Sequence, residues 1–394
     1  MYRIRTFDNI AERGIAAFAA DKFQVAEDIK SPHAILLRSH NLTIDELGSY
    51  VAAVARAGAG VNNIPVDVCT ERGIVVFNTP GANANSVKEL VLAALLLSAR
   101  DIVGGMRFVR TLQDVKEEID VGAKVESEKK RFRGRELTGR TLGVVGLGSV
   151  GSLVAKAALD LGMDVVGYDP ALSIDAAWRL PSQVVRMENL SSLFSRSELI
   201  SLHVPANPET TSMINAEALA SFRPGTALLN FAREEIVEIP AVVNALDTGI
   251  LSYYFTDFPN SLLSGHDRAH AMPHIGASTT EAEENCAVMA ARQLDTYLQY
   301  GNIENSVNFP AISMEPSEGY RIGISNKNVA GSLGGLLSVL ADRQINVIDL
   351  INKSRGEIAY NLIDIADPPS DQILADLLAI ETVIGVRAIA NEID

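Results

Sequence analysis

The stretch "TLGVVGLGSVGSLVAKAALDLGMDVVGYD", Thr141 to Asp169, constrains the fold of this chain more than any other. An apolar β-type run leads into Gly146, Gly148 and Gly151 at G-x-G-x-x-G spacing, a helical run follows, and a second β-type run ends on Asp169. Each glycine has its own duty: the first permits a tight turn, the second lets backbone approach a pyrophosphate, and the third lets helix and strand pack closely. The helix opening at Ser149 and Val150 then offers backbone amides to phosphates. Asp169 stands at the end of the second strand, where a carboxylate accepts hydrogen bonds from the adenosine ribose hydroxyls and repels a 2′-phosphate. NAD, rather than NADP, is the expected cofactor.

The rhythm continues on both sides. Six β-type runs, "TLGVVGLG", "DVVGYDP", "LISLHVP", "TALLNFA", "LSYYFTDF" and "HAMPHIGA", are separated by helical spans. Nearly continuous apolar strands are buried on both faces of a parallel sheet, which predicts a doubly wound dinucleotide fold. The first hundred residues alternate in the same way ("AILLRS", "VAAVARAGAGV", "IVVFNTPG", then the helical "SVKELVLAALLLSARD"), so a second parallel α/β unit is expected there. Arg110 to Arg140 reads as a polar, charged connector. A helix over Thr279 to Tyr300 leads into the linker "NIENSVNFPAISMEP". The last 75 or so residues give the order βαββαβ, a ferredoxin-like module.

Composition narrows the function. A formal charge of -15 argues against a nucleic-acid binder, which needs clustered Lys and Arg. A buried site can still be locally positive, so an anionic small molecule remains open. No apolar stretch is long enough to span a membrane, and the amino terminus has no basic segment followed by a long apolar run, so a cytoplasmic location without a membrane partner is expected. Cys69 and Cys286 have neither metal-ligand spacing nor disulfide density, and are expected to be free, buried thiols; no metal is expected.

Together, "GLGSVG" with Asp169, "LHVPANPETTSMI", "LLNFAREEIV", "MPHIGASTTEAEENCA", "VNFP" and the terminal βαββαβ unit resemble the D-isomer-specific 2-hydroxyacid dehydrogenases over essentially the whole length. The resemblance implies two Rossmann-like doubly wound parallel-sheet domains plus a C-terminal ferredoxin-like (ACT) domain: a split substrate-binding domain at 1–95 and 277–308, an NAD-binding domain at 96–276, and a regulatory module at 318–394. It places the active site in the cleft between the first two. The implied reaction is NAD-dependent oxidation of 3-phospho-D-glycerate to 3-phosphohydroxypyruvate, at the start of L-serine synthesis.

That chemistry needs a proton acceptor for the C2 hydroxyl, a cation for the carboxylate, and a positioned nicotinamide. His274 and Arg233 stand where the family's catalytic His and Arg do; an imidazole titrates near working pH, and a guanidinium binds carboxylate bidentately. His203, Pro205, Thr210, Phe231, Ala232, Asp257 and Gly276 fall on the cofactor side. Arg38, Arg56, Gly60 and Asn83 match positions that meet the substrate anions, Ser39 and the Ala59 backbone are further candidates in the same loops, and Lys129 offers one further cation for a phosphate. The family usually has a Glu hydrogen-bonded to the catalytic imidazole. "TDFPNSLLSGHDRAH" has none, and Asp257 is the candidate substitute.

In the terminal module, "SNKNVAGSL" carries Asn326 and Asn328, and "RQINVIDL" carries Asn346, as candidate ligands for an L-serine effector; Asn replaces the usual His and Ala330 the usual Pro. A homodimer or homotetramer is implied. Two other readings stay open: another D-2-hydroxyacid dehydrogenase or glyoxylate/hydroxypyruvate reductase, and an NAD(H)-sensing, corepressor-like binding protein, which would need neither His274 nor Arg233.

Overall fold

The computed structural model describes residues 1–113 and 118–389, so part of the connector and the last five residues of the terminal module lie outside the described residues. The described chain divides into two compact units, 1–83 with 280–394 and 84–279. The boundaries therefore fall at 83/84 and 279/280, in place of the expected 95/96 and 276/277. The reason is the helix Ala84–Ala99, whose Val87, Val91 and Leu95 join Val154 and Ala155 of the helix Ser149–Asp160 in one apolar cluster. The terminal module also groups with the first unit.

The first unit contains a five-stranded parallel sheet, ordered β2-β1-β3-β4-β5, from β1 (Tyr2–Thr6), β2 (Phe23–Ala26), β3 (Ala34–Leu37), β4 (Ala53–Arg56) and β5 (Val75–Phe77). Alternate residues of a strand face opposite sides. Leu36 accordingly joins a cluster with Ile4, Phe77, Leu294 and Phe309, while Ile35 and Leu37 join Val54 and Val76 on the other face. The helix Thr280–Tyr300 supplies Leu294 and brings Cys286 into the first of these clusters. Cys286 and Cys69 are free and buried.

The second unit is a seven-stranded, all-parallel sheet ordered β12-β11-β10-β9-β6-β7-β8. Its strands are β6 (Thr141–Val145), β7 (Asp164–Tyr168), β8 (Val185–Arg186), β9 (Leu199–Leu202), β10 (Thr226–Asn230), β11 (Leu251–Thr256) and β12 (Ala269–Ala271). The six expected strands are joined by the two-residue β8, too short to show a pattern. Val144, Leu229 and Phe255 pack on one face, and Val145, Leu228 and Tyr254 on the other. The stretch read as a connector is helical over Glu118–Glu128, with a 3-10 turn over Lys129–Phe132.

The terminal module has the expected βαββαβ order. The strands β13 (Tyr320–Lys327), β14 (Val347–Arg355), β15 (Ile358–Ile365) and β16 (Val383–Ile389) form an antiparallel sheet ordered β14-β15-β13-β16. Ile363 and Ile365 pack with Leu336 and Leu377 of the helices Ser332–Asp342 and Asp371–Leu378, whereas Tyr360 and Leu362 join the Phe77 cluster. Arg321, fully buried, pairs with the equally buried Asp364 through Nε and Nη2 at 2.7 and 2.8 Å. It also donates to the carbonyls of Tyr300, Met314 and Glu315, fastening the linker to the sheet.

Candidate active site

Every cofactor-side residue read from the sequence lies in the second unit, in the loops that follow the carboxyl ends of its strands or, for Ser149, Val150 and Gly151, in the first turn of the helix that follows β6. Gly146 follows β6 with φ of 87°, and a Cβ there would meet the His203 carbonyl oxygen at 2.6 Å. A Cβ on Gly151 would collide with the Gly146 carbonyl oxygen, so the helix Ser149–Asp160 can start this close to the loop only with glycine there. Gly148 opens the helix without a side-chain cap and has nothing within 4 Å of its Cβ position. The first-turn amides of Ser149 and Val150 thus meet an open, glycine-lined approach, which suits a pyrophosphate. Asp169 accepts from the Leu147 amide at 2.8 Å and the Ala171 amide at 2.9 Å, which fixes its carboxylate beside the glycine loop. The residues present fit a dinucleotide.

His203, after β9, shares a 2.8 Å hydrogen bond with Ser201 Oγ, and burial pushes its pKa down to about 3. It is neutral through the working range. Thr210 Oγ1 donates to the Pro205 carbonyl at 2.6 Å and closes that loop.

The turn after β10 carries Phe231, Ala232 and Arg233. Buried Asn230 shapes it, accepting from the Ala232 amide at 3.2 Å and donating to the Arg233 carbonyl at 2.8 Å. Arg233 Nη1 donates to the Ala232 carbonyl at 2.7 Å, and among the described residues no carboxylate is paired with its guanidinium. Its remaining N–H groups are available to an anion.

His274 adopts a left-handed φ of 56°, which costs a non-glycine residue roughly 1–2 kcal/mol. Asp257 holds it there. The Asp257 carbonyl accepts the His274 amide at 3.0 Å, and its carboxylate accepts the amides of Ile275 at 2.8 Å and Gly276 at 2.6 Å. Asp257 is 2% exposed, and a Cβ on Gly276 would stand 2.9 Å from its Oδ2, so this clamp needs glycine at 276. Buried Ser86 completes it by donating to the Gly276 carbonyl at 2.7 Å. The exposed imidazole meets the edge of Phe258, with centroids 5.1 Å apart. Among the described residues no carboxylate is hydrogen-bonded to it. As a substitute for the Glu, Asp257 is therefore corrected: it fixes the backbone that carries His274, and the imidazole is not its partner.

The anion-side residues, apart from Lys129, lie in the first unit. Asp8 organises them, its Oδ2 accepting the amides of Arg38 at 3.2 Å, Ser39 at 2.7 Å and His40 at 2.8 Å. Burial works to raise the Asp8 carboxyl, but the three amides outweigh it and hold it below the usual range. Arg56 Nε donates to the Arg38 carbonyl at 2.9 Å, bringing the two arginine-bearing loops together. Arg38 itself pairs with Glu283 at 2.8 Å. Asn78 Nδ2 donates to the Ala59 carbonyl at 2.6 Å and steadies the Ala59–Gly60 turn, and Asn83 is the last residue of this part of the unit. Lys129 lies in the second unit, where it pairs with Glu126 one helical turn away, both exposed. Of the remaining histidines, His33 Nδ1 accepts the Arg3 amide, and His40 stacks on Phe7 and pairs with Glu46, which are structural roles.

Residues 103–276 match the NAD binding domain of the D-isomer specific 2-hydroxyacid dehydrogenases. The D-3-phosphoglycerate dehydrogenase of Escherichia coli K12 is 31% identical over 386 residues, covering 94% of this chain and 90% of its own. The chain belongs to the D-isomer-specific 2-hydroxyacid dehydrogenases. The corresponding protein of Methanocaldococcus jannaschii is 32% identical over 374 residues, covering 92% of this chain and 67% of its own. Among solved structures, the NAD+-bound 3-phosphoglycerate dehydrogenase of Entamoeba histolytica superposes with a TM-score of 0.60 at 26% identity, covering 78% of this chain and 98% of that one. The chain is thus an NAD-dependent dehydrogenase acting on a small molecule. Its fold is shared with D-mandelate dehydrogenase of Rhodotorula graminis, at a TM-score of 0.67 and 22% identity, covering 79% of this chain and 99% of that one. No helix among the described residues is long and apolar enough to cross a membrane.

In this dehydrogenase the three effector candidates do not converge within one chain. Asn326 is 2% exposed and locked in a chain of amides, accepting from Asn361 Nδ2 at 2.7 Å, while Asn361 accepts from Asn352 at 2.6 Å. Asn328 lies past the end of β13 and donates to the Gly356 carbonyl. Asn346 precedes β14, whose start pairs through β15 with the start of β13, and so lies at the opposite end of the sheet. The motif spacing hides this, because the intervening helix returns the chain along the strand.

Proposed function

We propose that the chain oxidises 3-phospho-D-glycerate to 3-phosphohydroxypyruvate, as the entry step to L-serine. The observation that carries the reading is the likeness to D-3-phosphoglycerate dehydrogenases at 31–32% identity across more than nine-tenths of this chain, with the histidine and arginine the chemistry requires both present. Arg233, with N–H groups to spare, binds the C1 carboxylate and steadies charge on the C2 oxygen. His274, held by the Asp257 clamp, takes the hydroxyl proton as the C2 carbonyl forms. NAD+, when bound, supplies the acceptor for the hydride leaving C2. Arg38 and Arg56 bind the phosphate, which needs more than one cation because it is doubly charged near neutral pH. Arg38 then exchanges Glu283 for the substrate.

Assembly into a homo-oligomer is part of this proposal. The helix Ile102–Arg110 exposes Ile102, Met106 and Val109 at i, i+4, i+7 spacing, an apolar stripe suited to a second copy. Serine, as an effector, would have to engage Asn328 and Asn346 from different copies. The deciding assay follows NAD reduction with 3-phosphoglycerate, D-glycerate and D-lactate, each with and without serine. Preference for 3-phosphoglycerate by at least tenfold in kcat/KM is expected. Preference for an unphosphorylated acid overturns the substrate, and no turnover of any of them overturns the reading.

A further inference from the structure

The second unit has a further cavity, of about 520 Å³, at the edge of the sheet opposite the dinucleotide loops. Part of its lining comes from residues just before or near the starts of β6, β9, β10 and β11, Arg140, Glu198, Thr226 and Tyr253 among them, and the rest from residues 98–101 and the 131–135 stretch. The cofactor loops follow the carboxyl ends of these parallel strands, so about five residues of strand, roughly 16 Å, separate the two edges. The volume lies within the range of about 300–1,000 Å³ usual for small-molecule sites.

Its charge is unlike that of the rest of the chain. Six arginines line it, Arg100, Arg131, Arg133, Arg135, Arg140 and Arg223, against two acids, Asp101 and Glu198, in a protein of net charge -15. Three separate segments bring them together, so they are not one solvated basic run. The two acids offset only part of this charge. Asp101 is engaged by the Gly104 amide at the start of its helix, and Glu198 stands 3.6 Å from Arg140. Arg131 pairs with Glu128. Among the described residues, Arg100, Arg133, Arg135 and Arg223 have no ion-pair partner, and Arg140 Nε is buried with no hydrogen-bond partner.

The walls are fixed by backbone. The Arg135 amide donates to the Ala99 carbonyl at 2.9 Å, and a Cβ on Gly134 would collide with that same carbonyl, so the Arg131–Arg140 segment is pressed onto the end of the helix Ala84–Ala99. On the other side, Thr226 Oγ1 donates to the Arg223 carbonyl at 2.7 Å and secures the turn that presents Arg223.

We propose that this cavity is a binding site for a multiply charged anion, a metabolite or polyphosphate carrying at least two phosphoryl groups, distinct from the substrate and cofactor sites. Guanidinium forks bind phosphoryl oxygens in bidentate fashion, and four arginines with no ion-pair partner among the described residues call for more negative charge than one phosphate carries.

The test is calorimetric titration of the full chain with inorganic tripolyphosphate, pyrophosphate and orthophosphate at fixed ionic strength. One equivalent of tripolyphosphate is expected to bind per chain, more tightly than pyrophosphate and at least tenfold more tightly than orthophosphate. Arg135→Gln and Arg223→Gln should each weaken it at least tenfold, while Arg343→Gln in the terminal module should not. NAD affinity, unchanged in all three variants, confirms that each is folded. Flat titrations with all three anions overturn the proposal, as does binding that survives both pocket substitutions or falls equally with Arg343→Gln. Sedimentation supplies the remaining control: if the pocket substitutions change the oligomeric state and leave anion affinity intact, the arginines serve an interface.

Discussion

Asp257 reaches His274 through the backbone: its carbonyl accepts the His274 amide at 3.0 Å, and its carboxylate takes the next two amides at 2.8 and 2.6 Å. Both oxygens face N–H donors, so Asp257→Asn must turn an amide NH2 toward one of them. The left-handed turn at His274 would then lose part of its restraint. Misplacement of a catalytic group by about 1 Å costs on the order of a hundredfold in rate. For Asp257→Asn we expect kcat to fall by roughly ten- to a hundredfold, with NAD affinity nearly kept. A steady-state comparison with wild type checks this, and unchanged kcat would show that the clamp is dispensable.

Arg233 tests a different element, the fork. Its Nη1 is spent on the Ala232 carbonyl, which orients the guanidinium and leaves other N–H groups for a carboxylate. Lysine can supply the charge but cannot make the internal bond and a bidentate contact together. Arg233→Lys should lower kcat/KM about a hundredfold, a loss of about 2.7 kcal/mol of transition-state stabilisation. Kinetics with 3-phosphoglycerate measure it; a change confined to KM would mean that Arg233 binds substrate without acting in the reaction.

The contrast between these two residues shows what was legible in the sequence. Arg233, His274 and the glycine loop can be named as candidates from sequence because the chemistry proposed for them depends on residue type at fixed spacing along one strand-loop unit. The role of Asp257 depends on which atoms meet across two strand ends, and spacing carries no sign of it. Asn230, Ser86 and Asp8 were missed for the same reason: each is a polar residue whose partners are backbone groups chosen by tertiary structure. The doubly wound sheets were readable wherever strands are buried on both faces. β1 and β2 were not, since "YRIRT" alternates arginine with apolar residues and "FQVA" is short. Asn326 matches an effector motif while its Oδ1 accepts from Asn361 and its Nδ2 donates to the Lys327 carbonyl.

His203 predicts how stability depends on pH. Its folded pKa of about 3 lies below the ordinary value of about 6.5. Between those values the unfolded chain binds a proton that the folded chain refuses. Stability should therefore fall as pH drops from about 6.5 toward 3, with no contribution from this group above that window. His203→Gln keeps a polar partner for Ser201 and removes the titration. The melting temperature of the variant should decline less than that of wild type between pH 7 and pH 5. Parallel declines would assign the acid sensitivity elsewhere.

Arg321 and Asp364 make the sharpest stability prediction, because both side chains are 0% exposed. Removing one partner from a buried pair leaves an uncompensated charge, a cost of about 3–5 kcal/mol. Asp364→Ala should therefore strip hydrogen-exchange protection from 320–327 and 358–365, the strands this pair joins. Arg321→Met with Asp364→Leu removes both charges together and should recover much of the loss. Recovery should be incomplete, because the carbonyls of Tyr300, Met314 and Glu315 each lose a guanidinium donor in the double variant. Full recovery would mean that the linker carbonyls find other partners and that the pair holds only itself. No recovery would mean that the three carbonyl bonds, rather than the ion pair, fasten the linker to the sheet.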